Sequence, residues 1–328
     1  HIFTFKENGC PNSCGLGRGE KPAAPVTLIA VGTNGDTMAT RTITEAFNIF
    51  HSRITPSGYE SGKAASHKAS ITSRLEEYYD LKQLFYSGSA NNGTSISKYS
   101  DVDLFAWIPT NKLKQNSATT LREVKECLQE RFPNTSVYVD SPAVVLDFGS
   151  ANWDKTEVIP ADYIEQKNGK NVYEIADGVG GWMRSSPSSH TSYVTEENAR
   201  LGKKLKPLIR FLKACKYCCN VPISSFYLEL RATKWMEEEK SIVYDIDVCT
   251  ILKKLHSCSL AAMQDPKGVS GYVTACTTEA KKTEALSKLA TAKVRAAKAR
   301  EAEREQKTGE AFDWWDKVFA GNFPSFYY

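Results

Sequence analysis

The chain has no long apolar run. No stretch reaches the roughly 18 consecutive apolar residues that a membrane-crossing helix needs, so no membrane partner is expected. No secretory signal is expected, since His1-Ile2-Phe3-Thr4-Phe5-Lys6 is not a basic segment leading into an apolar one. It lacks a strong charge of either sign: 42 Lys and Arg stand against 38 Asp and Glu, a net +4. So mild a balance gives no sign of nucleic-acid binding, which calls for a clustered basic patch. Finally, it lacks a paired cysteine framework. Its nine cysteines are odd in number and scattered, which excludes a stapled secreted scaffold and points to a reducing, cytoplasmic setting. What remains is ordinary globular material, 41% hydrophobic and 24% charged over 328 residues. That is enough for one bilobal fold or two domains.

The first 37 residues differ from the rest. They hold Gly9, Gly15, Gly17 and Gly19, the prolines Pro11, Pro22 and Pro25, and a Cys10-x-x-x-Cys14 pair, with no sustained hydrophobic period. The expectation is an irregular appendage or non-native leader over 1–37, with the native start near Met38. Beyond it, periodicity predicts helices over 41–51 and 64–80, separated by the breaker Thr55-Pro56-Ser57-Gly58. Strands are predicted at 84–87, 102–108, 136–140, 143–148 and 157–164, and a helix over 118–131. The second half reads as helical. Thr195 is expected to cap a helix with an apolar stripe of Leu201, Leu205, Leu208 and Leu212, bent at Pro207, followed by helices over 224–239 and 245–257. The segment 279–307 predicts a long solvated helix that acts as a brace, and the aromatic tail from Phe312 to Phe323 is expected to dock on the body.

Chemistry concentrates around Asp101-Val102-Asp103. Side chains alternate along a strand, so both carboxylates fall on one side. Such a pair repels unless a dication lies between, which marks it as a Mg²⁺ (or Mn²⁺) candidate. Upstream, Gly88-Ser89 opens a small, flexible run through Ser95, a turn whose backbone N–H groups and hydroxyl can approach phosphate oxygens. A third carboxylate would complete a site for two ions; Glu157 is the leading candidate, with Asp147 and Asp154 as rivals. Lys203, Lys206, Arg210 and Lys213 recur at i, i+3, i+7 and i+10, a basic stripe that could meet a triphosphate. Cys215-x-x-Cys218-Cys219 and His256-x-Cys258 read as buried thiols rather than a zinc site. His190 reads as a loop-fixing hydrogen-bond partner, and Trp314-Trp315 as core.

These residues carry a resemblance. Phe85-Tyr86-Ser87-Gly88-Ser89 through Ser100-Asp101-Val102-Asp103-Leu104 resembles the nucleotidyltransferase signature of the CD-NTases, bacterial relatives of cyclic GMP-AMP synthase and the oligoadenylate synthases. The likeness runs on through Glu157-Val158-Ile159-Pro160-Ala161, Ser186-Pro187-x-x-His190, Leu208 to Lys213, Ser224 to Glu229, Asp265-Pro266-x-Gly268 and the stretch from Trp315 to Phe319. It covers about residues 38–324. It implies an α+β fold: a polymerase-β-like nucleotidyltransferase core with a mixed sheet over 38–180, and a helical lobe over 181–328 that completes the nucleotide cleft. It further implies that Gly88 and Ser89 hold a donor triphosphate and that Asp101, Asp103 and Glu157 bind two Mg²⁺ or Mn²⁺ ions. Glu157 stands where the family most often has Asp. Lys213 and Ser225 would contact the triphosphate, and Phe226 would stack on a base. The implied activity is synthesis of a cyclic di- or trinucleotide from NTPs, read by a separate effector protein in anti-phage (CBASS-type) signalling. Two other readings stay open: a linear-product or substrate-modifying nucleotidyltransferase, and an inactive nucleotide-binding regulator.

Overall fold

The computed structural model describes residues 39–149 and 154–327. The expectations about the leader, Met38, Cys10 and Cys14 lie outside the described residues. The chain begins with two helices, α1 (Ile43–Ile54) and α2 (Gly58–Tyr79). Each opens on a reciprocal cap, Thr42 with Glu45 and Ser57 with Glu60, in which hydroxyl and carboxylate satisfy each other's orphan N–H groups. The second cap starts α2 at Gly58, six residues earlier than periodicity alone predicts.

A mixed sheet follows. Its strands are β1 (Gln83–Tyr86), β2 (Val102–Trp107), β3 (Ser136–Asp140), β4 (Ala143–Asp147) and β5 (Lys155–Lys167), in spatial order β1-β2-β5-β4-β3. The pair β2–β5 is parallel, whereas β1–β2, β3–β4 and β4–β5 are antiparallel. The long β5 extends past the sheet to pair with β6 (Lys170–Ala176), which pairs in turn with β7 (Trp182–Ser185). Short α3 (Gly88–Asn92) lies between β1 and β2, and α4 (Ser117–Arg131) leads to β3. One sheet face, with Leu104, Val144, Leu146 and Val158, packs on α2 and α4 through Ile71, Leu75, Leu121 and Val124. The other face carries the smaller cluster of Phe105, Ala161, Tyr173 and Ile175.

The rest is helical: α5 (Pro187–Arg200), α6 (Leu205–Cys218), α7 (Ser225–Met236), α8 (Tyr244–Ser257), α9 (Glu279–Arg304) and α10 (Thr308–Val318), with a small hairpin of β8 (Met263–Gln264) and β9 (Tyr272–Val273). The single bent helix expected around Thr195 and Pro207 is in fact two. Gly202 and Lys203 both adopt positive φ (63° and 62°), which ends α5. Pro207 then falls in the first turn of α6, where the N–H it lacks has no intrahelical partner to lose. Thr195 lies inside α5 and donates no cap.

Helix α9 is a brace with an alanine stripe: Ala285, Leu289, Ala292, Ala296, Ala299 and Ala302 are buried while its charged faces stay wet. The aromatic tail docks as expected. Trp315 is fully buried, its ring centroid 5.1 Å from that of Phe47, and Phe319 lies 4.5 Å from Phe50. Phe47 and Phe50 belong to α1, so this first helix joins the helical lobe's core. The core expected over 38–180 therefore gives its first helix to the other lobe.

Candidate active site

Backbone register builds the acid cluster. In the parallel β2–β5 pair, Asp103 lies directly opposite Glu157, and Asp101, the residue just before β2, reaches the Glu157 carboxyl through a hydrogen bond. The rivals for the third carboxylate are differently placed. Asp147 pairs with Lys155 at 3.6 Å, and Asp154 is buried with Lys63 Nζ at 2.8 Å. The Gly88–Ser89 turn presses onto the same spot. Gly88 has φ +51°, and a Cβ there would lie 2.0 Å from Asp103 Oδ2, so only glycine fits. The Ser89 backbone N–H donates to Asp103, and the Ser89 hydroxyl lies 3.1 Å from that of Ser95.

The electrostatics are strained. Burial, then the neighbouring Asp101, push the Asp103 carboxyl up to about 7, although Lys213 and the Ser89 N–H pull the other way. Burial, then Asp101 and Asp103, push Glu157 up to about 9, and a hydrogen bond links its carboxyl to that of Asp101. Two buried acids pushed up beside a third carboxylate are the oxygen donor set a hard dication relieves. By that chemistry the site fits Mg²⁺ or Mn²⁺. Among the described residues no three His, Cys, Asp or Glu side chains are drawn into a preformed metal-holding group.

The helical lobe supplies the opposite wall. Lys213 is fully buried: its ammonium pairs with Glu229 and lies 3.3 Å from the Thr94 carbonyl. Lys203 sits in the turn before α6, so the basic stripe loses its first member. Arg210 donates to the Ser95 carbonyl (3.2 Å) and meets His51 Nε2 (2.8 Å). The lysine on the site's wall is Lys216, which the sequence reading did not single out. It follows Lys213 by one turn of α6. Its Nζ donates to the Ser225 hydroxyl at 2.7 Å. Burial, then the nearby Lys213 charge, lower it to about 8, while Asp101 holds it up. The spacing of Lys206, Arg210, Lys213 and Lys216 would have disclosed it had the stripe been counted from inside the helix.

Ser225 and Phe226 open α7, and Phe226 is 37% exposed. Its ring sits edge-on to His190, with centroids 5.0 Å apart. His190 Nε2 lies 2.9 Å from Asp265 Oδ2, the loop-fixing contact its position suggests. Burial opposes ionisation of Asp265, but His190 and the N–H groups of Lys267 and Ser270 hold it well below the carboxylate range. The thiols of Cys215, Cys218, Cys219 and Cys258 are free, and His256 Nδ1 meets Lys293 Nζ at 2.8 Å. A cleft of about 360 Å³ lies on the α2 side of the sheet, lined by Glu60, His67, Tyr86 and Arg210 among others, and it meets the acid cluster only at Asp101. Asp103 and Glu157 therefore sit beside this cleft and do not line it. No helix among the described residues is long and apolar enough to cross a membrane.

The chain is similar to known proteins in sequence and in fold. Residues 41–198 match the domain family described as second messenger oligonucleotide or dinucleotide synthetase (SMODS). A probable cyclic nucleotide synthase of Bacillus cereus (strain VD146) is 23% identical over 253 residues, which is 71% of this chain and 74% of that protein. Among solved structures, CdnC of Escherichia coli MS115-1, determined with ATP, superposes with a TM-score of 0.66 at 16% identity, over 86% of this chain and 99% of that one. The CD-NTase CdnG of Bradyrhizobium diazoefficiens, determined with GTP, gives a TM-score of 0.63 at 10% identity, over 85% and 97%. At such identities the two structures establish the fold.

Proposed function

We propose, on the match of residues 41–198 to the second messenger oligonucleotide or dinucleotide synthetase domain and the fold shared with CD-NTases, that this nucleotidyltransferase joins NTPs into a cyclic di- or trinucleotide second messenger. The observation that carries the reading is the strand register: Asp103 opposite Glu157, Asp101 bonded to Glu157, and a glycine turn packed against Asp103 too closely for any side chain. An acceptor NTP presents a ribose hydroxyl. Its oxygen bonds to the donor's α-phosphorus, the α–β bridging bond breaks, and pyrophosphate leaves. The proton goes to the Glu157 or Asp103 carboxylate. Mg²⁺ or Mn²⁺ held by Asp101, Asp103 and Glu157 would supply the positive charge that offsets these carboxylates and the transferring phosphoryl group.

The chain's own residues do the positioning. Ser89 and its turn offer a hydroxyl and N–H groups to phosphate oxygens from the sheet side. Lys216 and Ser225 offer an ammonium and a hydroxyl from the helical side. Phe226 presents a ring face for a base. A second transfer at the same acid cluster closes the linear intermediate. The product then serves a separate effector protein in an anti-phage response. Incubating the purified protein with all four labelled NTPs and Mg²⁺ or Mn²⁺, followed by phosphatase treatment and mass spectrometry, tests this. A phosphatase-resistant cyclic product is expected. Linear products alone, or labelling of another macromolecule, would overturn cyclisation; no transfer under either metal would overturn the catalytic reading.

A further inference from the structure

Four buried polar side chains lie where the two lobes meet; of them only Lys213 was expected to contact the triphosphate, and its ammonium pairs with Glu229. Glu229, 3% exposed on α7, is the hub. Its carboxylate accepts from Asn92 Nδ2 at 2.7 Å, from Thr94 Oγ1 at 2.5 Å and from the Lys213 ammonium. Lys213 also donates to Thr94 O and Oγ1 at 3.3 and 3.4 Å. Thr191 of α5 adds a link, donating to Asn92 Oδ1 at 2.7 Å. Burial opposes a charged Glu229, yet Lys213 and the Thr94 and Asn92 donors hold it below its ordinary range. A buried acid so fully satisfied is rigid.

The placement of these partners matters. Asn92 ends α3, the helix that begins with Gly88 and Ser89, and Thr94 follows one residue after its cap. Glu229 lies three and four residues after Phe226 and Ser225, hence on their side of α7. Lys213 lies one turn before Lys216. A single carboxylate thus ties the turn facing Asp103 to both helices of the opposite wall. We propose that Glu229 is a positioning residue, clamped by Lys213, Asn92 and Thr94, that fixes the gap between the Gly88–Ser89 turn and the Lys216–Ser225–Phe226 wall so that a nucleoside triphosphate is gripped from both lobes. This rests on the nucleotidyltransferase reading above.

The test separates positioning from mere stability. Removing one partner leaves a buried unpaired charge and can unfold the protein, whereas replacing both by apolar residues of similar volume is tolerated. The decisive variant is therefore Lys213→Met with Glu229→Met, with Thr94→Val as a milder companion that keeps the ion pair. Three quantities are read: the melting temperature, amide hydrogen exchange across residues 88–94, and kcat and KM for pyrophosphate release. The double variant is expected to melt within a few degrees of the parent, to exchange faster across 88–94, and to lose roughly ten- to a hundredfold in kcat/KM. Thr94→Val is expected to lose less, in the same direction. Parent-like exchange and kcat/KM in the double variant would overturn the clamp, as would a rate loss that vanishes once assayed well below its melting point. If the parent itself releases no pyrophosphate, the functional reading fails, and exchange across 88–94 alone decides the clamp: faster in the double variant sustains it, unchanged refutes it.

Discussion

Glu157→Gln should stabilise the metal-free protein while ending its activity. Glu157 has an ordinary value of 4.5 and is pushed up to about 9 in the folded chain, by burial first and by Asp101 and Asp103 next. A raised carboxyl means that folding takes up a proton between those two values, so stability falls as pH rises through that window. At about pH 7.5 the unfolded carboxyl has been ionised over about three pH units while the folded one stays protonated. At about 1.4 kcal/mol per pH unit, this amounts to about 4 kcal/mol of lost stability. Part of it belongs to Asp101 and Asp103, since repulsion is a property of the cluster. Glutamine, isosteric and uncharged, should therefore recover about half, ~2 kcal/mol. For a chain of this size that raises the melting temperature by roughly 3 °C. The assay is thermal melting in chelator from about pH 4.5 to 8.5, repeated with Mg²⁺ and a non-hydrolysable NTP. The gain should shrink towards zero as pH falls to about 4.5, where the folded carboxyl is protonated and the unfolded one is about half so. Added metal and nucleotide should raise the parent's melting temperature more than the variant's. A variant that melts at or below the parent at about pH 7.5 in chelator, or that keeps its gain unchanged down to pH 4.5, would refute the argument.

Three further outcomes are expected. Asp101→Asn with Asp103→Asn should abolish pyrophosphate release with the circular dichroism spectrum unchanged; full activity would remove the metal assignment. Lys216→Met should raise KM for NTP roughly tenfold or more, since a hydrogen bond to a charged group contributes about 1.5–3 kcal/mol. In the parent, kcat/KM should fall as pH rises through about 8, where Lys216 sheds its proton; Lys216→Met should lack that limb, and titration against fixed Mg²⁺ checks both. Phe226→Ala should weaken nucleotide binding by about 1–3 kcal/mol with little preference among bases, read by competition with a fluorescent nucleotide.

The parts of the fold and site that show in the sequence are those whose logic is local. The pairing of Asp101 with Asp103 needs only strand alternation, and Gly88-Ser89 announces a tight turn by composition. The start of α2 was equally local: Ser57-x-x-Glu60 writes out the capping box, but the breaker beside it masked the signal. The division of α5 from α6 hinged on two positive φ angles at Gly202 and Lys203, and a leucine stripe continuing across the break hid it. Strands β6 and β7 escaped because they leave the main sheet and bury only part of each face. The roles of the lysines were the least legible. Lys213 and Lys216 differ by one turn, and nothing in their own spacing says that a glutamate sixteen residues on takes one of them.

That difference explains how two lysines on one helix can serve opposite ends. A lysine whose ammonium is paired with a buried carboxylate has little field left for a phosphate, because the pair is nearly neutral at a distance. Lys213 is in that condition, and its effect on Asp103 is partly cancelled by Glu229, which acts on the same carboxyl with the opposite sign. Lys216 bonds a neutral hydroxyl instead, Ser225 Oγ, and is desolvated enough to give up its proton near pH 8. A desolvated cation resting on a neutral partner gains more from an arriving polyanion than one that is already paired. The arrangement thus sets a charge-neutral strut, Lys213 with Glu229, beneath an uncompensated cation one turn away. On the proposed reading the strut would hold the wall in place and the cation would attract the triphosphate. Exchanging Ser225 for Asp tests this reasoning: a carboxylate beside Lys216 would neutralise it, raise its titration point above about 8, and raise KM for NTP about as far as Lys216→Met does. A Ser225→Asp protein with the parent's KM would refute it.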